Sequence, residues 1–128
     1  MSRGTRWTDY TFEDESRFVR VRFTGLWPIP KISPVIPRIL DECKARNQDL
    51  MLIDFSVVEN KKLSLAERFR LGLSALDFAG KLRKIAVLGR PDLLDRQRFG
   101  ELVARNRGIN IRAFSTLDEA TQWLLEPT

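Results

Sequence analysis

The chain has 128 residues, 43% hydrophobic and 30% charged, with 22 Lys+Arg against 17 Asp+Glu and a net charge of +5. That length is one ordinary domain with enough core to fold without a disulfide or metal, and the balance excludes disordered, collagenous and low-complexity classes. With no histidine and one cysteine, Cys43, a Ser-His or Cys-His nucleophile pair, an imidazole base, a four-ligand N/S zinc site and an internal disulfide are excluded.

In chain order, Trp7 to Phe12 alternates weakly and Arg17 to Thr24 strictly, with Val19, Val21 and Phe23 on one face and Arg20 and Arg22 on the other. The acidic turn Glu13-Asp14-Glu15-Ser16 joins them into an antiparallel hairpin, and Gly25 closes the second strand. Four prolines between Pro28 and Pro37 keep the chain extended until a helix begins near Pro34 or Pro37. Its apolar stripe is Ile36, Ile39, Leu40 and Cys43, which makes Cys43 a buried, inert thiol. Leu50 to Phe55, Arg83 to Leu88 and Ile109 to Phe114 read as buried strands, with Asp54 at the end of the first and Gly89 stopping the second.

Helices fill the gaps. Ser64 to Ala79 opens on the capping box Ser64/Glu67, Pro91 to Asn106 stops at Gly108, and Thr116 to Leu125 opens on the capping box Thr116/Glu119. The expected fold is a single α/β domain spanning 1–128, core about 8–125, in the order β-β-α-β-α-β-α-β-α. A mixed, mostly parallel five-stranded sheet with its first strand antiparallel carries four helices. No run approaches the length of a transmembrane helix, and no apolar segment near Met1 follows a basic start, so a cytoplasmic protein is expected.

Sites in open α/β sheets form beyond the carboxyl ends of parallel strands, here in Asp54 to Lys62 and around Arg90. No phosphate-cradling glycine spacing is present. Asp54 sits where a phosphoacceptor aspartate of a receiver domain would, but Thr24-Gly25-Leu26 offers no acidic pair for Mg²⁺ and no lysine ends the strand at Phe114. A strand-end carboxylate bonding to the following backbone is the plainer reading. Ser64 serves as a helix N-cap; as a phosphorylation site it would place a dianion at a helix N-terminus beside Lys61 and Lys62. Ser56 lies too near the strand to be the better switch. The Ser64 helix has one apolar stripe in Leu65, Phe69, Leu73 and Leu76 and another across from it in Leu71, Ala75 and Phe78. A helix apolar on two sides is covered by a neighbouring helix or meets a partner. The basic residues, such as Arg98 and Arg105, are spread over helix faces without a dense stripe, so nucleic acid is not the expected target.

The chain resembles the STAS superfamily of anti-sigma-factor antagonists, and within it the bacterial SpoIIAA-like branch, also grouped with CRAL-TRIO-type lipid-binding domains. The resemblance rests on Leu52-Ile53-Asp54-Phe55-Ser56, on Lys84-Ile85-Ala86-Val87-Leu88, and on the ending Phe114-Ser115-Thr116-Leu117-Asp118-Glu119-Ala120-Thr121-Gln122-Trp123-Leu124, over roughly Thr8 to Leu125. It implies a binding protein that docks on a kinase-type anti-sigma factor through the helix after the third strand, released by phosphorylation of a serine at that helix's start. The corresponding stretch is Lys61-Lys62-Leu63-Ser64-Leu65-Ala66, but the Asp-Ser-x-Gly-Leu signature is missing: no aspartate precedes Ser64 and no glycine follows. The grouping also implies an apolar ligand or lipid site.

The leading expectation is a non-enzymatic regulatory module with no metal or cofactor. Its surface for a protein partner or a second copy comprises Asp54, Ser56, Lys61, Lys62, Ser64, Leu71 and Phe78. The alternative is a small carrier of a lipid or apolar ligand near Trp27, Phe55 and Phe78, with Arg90 for an anionic head group. A carboxylate hydrolase built on Asp54 with Glu59, Asp92 or Asp95 ranks last.

Overall fold

Strict alternation along β2 (Val19–Leu26) sets the two sides of the sheet. The computed structural model describes residues 9–15, 17–26, 29–59, 78, 80–89 and 110–127. Val19, Val21 and Phe23 are buried on one face of β2, and Arg20 and Arg22 reach Asp54 on the other. β1 (Asp9–Asp14) pairs antiparallel with it, Tyr10 opposite Phe23 and Glu13 opposite Arg20. The expected hairpin is present, but its acidic residues are strand through Asp14. Opposite charges across the pair favour extension where acidic side chains by themselves disfavour a strand. The turn tightens to Glu15–Phe18, the Glu15 N–H donating to the Phe18 carbonyl at 3.1 Å. β2 also runs past its expected end at Gly25 to Leu26, with Gly25 at a φ of 90° that glycine adopts without strain.

α1 (Ile29–Ala45) begins earlier than the prolines suggested and holds Pro34 and Pro37 inside it. Each interior proline removes one backbone donor and disfavours the helix by about 3 kcal/mol. Burying Ile36, Ile39 and Cys43, with Val35 and Leu40 packed beside them, offsets this. The expected stripe is therefore correct although the expected start is not. The helix ends in a Schellman motif: Gln48 N–H donates to the Cys43 carbonyl at 2.9 Å and Asn47 N–H to Lys44 at 3.0 Å. Asn47 takes the left-handed position at φ 56°.

β3 (Leu50–Glu59), β4 (Lys84–Leu88) and β5 (Ile111–Phe114) complete a five-stranded sheet in the order β1-β2-β3-β4-β5, with β2 to β5 mutually parallel. β3 runs four residues past Phe55, so Asp54 lies within a strand and not at its end. α2 (Leu117–Leu125) opens on the expected cap: the Glu119 N–H donates to Thr116 Oγ1 at 3.2 Å, and that hydroxyl donates to Glu119 Oε1 at 3.1 Å.

Two of the four expected helices are thus present; the other two fall on 64–79 and 91–106, outside the described residues apart from Phe78. The sheet is covered on both sides. On the α1 side Val21, Phe23, Met51, Ile53, Phe55, Ile85 and Val87 form one apolar cluster, with Phe23 and Phe55 at 5.2 Å between ring centroids. On the α2 side Phe18, Leu50, Leu52, Ala86 and Leu88 meet Ala120, Trp123 and Leu124. Trp123 takes its expected core position. Among the described residues no helix is long and apolar enough to cross a membrane.

Candidate functional site at the bulge of β3

β2 and β3 pair in regular register from Val19–Met51 to Arg22–Asp54, and then β3 takes three residues where β2 takes two, so that Thr24 meets Val57. The extra residue is a β-bulge, which reverses the facing of everything after it. Phe55 packs in the α1-side core and, by strict alternation, Val57 should follow it. Instead Val58 is fully buried there and Val57 is 56% exposed.

The bulge is held by the one carboxylate in β3's apolar run. Asp54, 0% exposed, accepts the Ser56 N–H on Oδ1 at 2.8 Å, a backbone donor that the interrupted pairing leaves free. Its Oδ2 accepts Nε and Nη2 of Arg20 at 3.0 and 2.6 Å, and Arg22 Nε stands 3.4 Å away. Glu13 and Glu15 complete the cluster, 3.7 Å from Arg22 and 3.9 Å from Arg20. Burial by itself would push the Asp54 carboxyl up; hydrogen bonds from Ser56 and the guanidinium of Arg20 outweigh it and hold the group below its ordinary value. Asp54 stays ionised, with both oxygens occupied by intramolecular partners. The plainer sequence reading, a carboxylate bonded to nearby backbone, is the one the geometry matches.

A second buried charge lies on the same side of the sheet. Lys84, 3% exposed, donates from Nζ to the carbonyls of Trp123 at 2.6 Å and Glu126 at 3.0 Å, and lies 5.0 Å from the centre of the Trp123 ring. It donates to carbonyls at the carboxyl end of α2, where a helix carries partial negative charge, sharing that of Trp123 with the Glu126 N–H at 3.3 Å. Arg112 flanks the same ring at 5.9 Å. On the opposite side of the sheet, burial first, with Glu42 adding to it and Arg46 opposing it, pushes the Cys43 thiol up to about 11, as suits the inert core position expected of it. Among the described residues no three His, Cys, Asp or Glu side chains converge as metal ligands.

Of the sequence-derived site residues, Asp54 and Ser56 are brought together. Phe78 is buried, 4% exposed, in the α1-side cluster, so its ring belongs to the core and not to a free docking stripe. Lys61, Lys62, Ser64, Leu71 and Arg90 lie outside the described residues. Sequence reasoning did not single out Arg20, Arg22 and Lys84 as site residues. A signal for the first two existed: a carboxylate inside a six-residue buried run needs a charged partner, and two alternating arginines on the preceding strand could supply it.

Two solved structures share this architecture over almost the whole chain. An anti-sigma factor antagonist from Mycobacterium paratuberculosis is 16% identical, with a TM-score of 0.60 over 96% of this chain and 98% of that one. An uncharacterized protein with a SpoIIAA-like fold from Shewanella loihica PV-4 is 17% identical, with a TM-score of 0.56 over 97% and 98%. No family model and no curated protein matches the sequence. At these identities the likeness is one of fold, and it agrees with the resemblance drawn from the strand and C-terminal motifs: the chain has a STAS/SpoIIAA-like fold.

Proposed function

We propose that this chain is a regulatory protein-binding module whose partner docks at the exposed end of β3, around Val57, on a surface that continues in sequence into Lys61, Lys62 and Ser64. The observation that carries this reading is the bulge. A buried ion cluster is committed to turning Val57, a large apolar side chain, out to 56% exposure, where regular alternation would bury it. Buried charges of that kind suit the fixing of one geometry better than the addition of stability. Asp54 is also poorly suited to acid–base work, since a useful catalytic group titrates near the working pH and this one is held low. The shared fold of an anti-sigma factor antagonist makes an anti-sigma factor the partner to try first. Phosphorylation of Ser64 belongs to the same proposal, as a dianion added close in sequence to Lys61 and Lys62.

The test is calorimetric titration of the source organism's anti-sigma factors into the purified chain. At least one should bind with micromolar affinity or better. Val57→Glu should weaken that binding by about tenfold or more while melting like the parent. Absence of any binding, or an unchanged affinity for the folded Val57→Glu protein, overturns the reading.

A further inference from the structure

Between the β1–β2 turn, the start of β2 and one flank of α2 lies a cavity of about 240 Å³ that the docking surface at Val57 does not use. Its walls are apolar: Phe18 from the turn before β2, Leu117 and Leu125 from the helix. Thr121 adds a hydroxyl, and Arg17 and Arg20 add positive charge. Arg20 is the informative group. Its side chain is 13% exposed, yet Nε and Nη2 both go to the single oxygen Oδ2 of Asp54. The remaining nitrogen, Nη1, forms an ion pair with Glu15 Oε2 at 3.9 Å, longer than a hydrogen bond. A guanidinium carries five donors in a rigid fork that matches a carboxylate. Here part of that fork faces the cavity between apolar walls, held by the long ion pair to Glu15 alone among the described carboxylates.

The geometry points to this cavity as a binding site for a small aliphatic carboxylic acid, its carboxylate on Arg20 Nη1 and its short branched tail against Phe18, Leu117 and Leu125. Volume limits the ligand: the cavity falls below the roughly 300–1,000 Å³ of sites that hold drug-sized molecules. The walls select its chemistry. Inorganic phosphate or sulfate would meet the same arginine but would lose hydration against three apolar side chains that return nothing. A neutral aliphatic compound would leave the fork unanswered. Glu15 is the intramolecular carboxylate that the ligand displaces; it is about one-third exposed and meets Arg20 at 3.9 Å. The site goes beyond the proposed partner surface and stands whether or not that proposal does.

The probe is 3-methylbutanoate, titrated into the ¹⁵N-labelled chain and followed by amide chemical shifts. Its neutral amide and inorganic phosphate serve as controls. Saturable shifts are expected at Phe18, Arg20, Leu117 and Thr121 with the acid and with neither control. Glu15→Gln removes the competing carboxylate and should tighten binding severalfold. Leu117→Glu places a like charge at the half-exposed rim, without disturbing the core, and should weaken it by about tenfold or more. Arg20→Lys keeps a cation for Asp54 but loses the fork and should also weaken it. Shifts that never saturate, equal shifts with the neutral amide, or unchanged affinity in both Glu15→Gln and Leu117→Glu overturn the assignment.

Discussion

The two sides of the sheet are built on different principles. On the α1 side β2, β3 and β4 meet the helix through aliphatic and aromatic side chains, and even the thiol of Cys43 is kept neutral by burial. On the α2 side the aliphatic contacts share the layer with Arg20, Asp54 and Lys84, each tied to specific partners. Apolar contact rewards burial and accepts many packings, whereas a buried charge accepts only the arrangement that pairs it. The first side holds the larger apolar cluster among the described residues. The second fixes geometry: Asp54 pins the bulge and Lys84 seats the end of α2.

Breaking each side in turn sharpens the contrast. The largest loss is expected for Phe23→Ala, which empties the space against Phe55 and Tyr10. Urea denaturation should show about 3–5 kcal/mol of destabilisation. A loss under about 1 kcal/mol would mean that the α1 side is not one continuous core.

Asp54→Asn should cost somewhat less, about 2–3 kcal/mol, because the amide oxygen can still accept the Ser56 N–H while Arg20 loses its counter-charge. This variant also changes the dependence on pH. The folded-state carboxyl lies below its ordinary value, so the unfolded chain takes up the proton first. The stabilisation is complete above the unfolded value of about 3.9 and is lost as pH falls through the lower folded value. Acid titration of the parent should show that loss, and Asp54→Asn should flatten it. Two parallel curves would remove Asp54 from its pinning role.

Lys84→Met keeps the length of the side chain but removes its hydrogen bonds to the carbonyls of Trp123, which keeps the Glu126 N–H, and Glu126. About 1–2 kcal/mol is expected, with faster amide exchange in α2 than in α1. Equal acceleration in both helices would show that Lys84 stabilises the whole chain and does not seat α2. The smallest effect belongs to Thr116→Ala, at about 1 kcal/mol in thermal melting, since it removes only the cap of α2.

Legibility in the sequence followed the range of the forces. The hairpin, the parallel strands, the α1 stripe and the Thr116 cap were readable because each depends on neighbours a few residues away. Strand ends and the start of α1 were misplaced because distant partners overrode local preference: Arg22 keeps Glu13 in the strand, and the sheet under Ile36 and Ile39 carries a helix through Pro34 and Pro37. Asp54 was picked out as the unusual residue, but its position in the strand was not. The bond to nearby backbone was readable, but the arginine partners were not: Arg20 sits 34 residues away in sequence and meets Asp54 only through the β2–β3 register.

The sequence by itself determined the α/β class, the sheet with its antiparallel first strand, and the apolar faces, since two- and 3.6-residue periodicities dictate which side chains can share a core. It also marked one carboxylate, Asp54, as out of place in an apolar run. Only the tertiary structure decided what that carboxylate does. A bulge exists only between two paired strands, and an ion pair only between side chains brought within a few ångströms. The turning of Val57 to the surface and the pairing of Arg20 with Asp54 were therefore settled when β2 met β3, and not before.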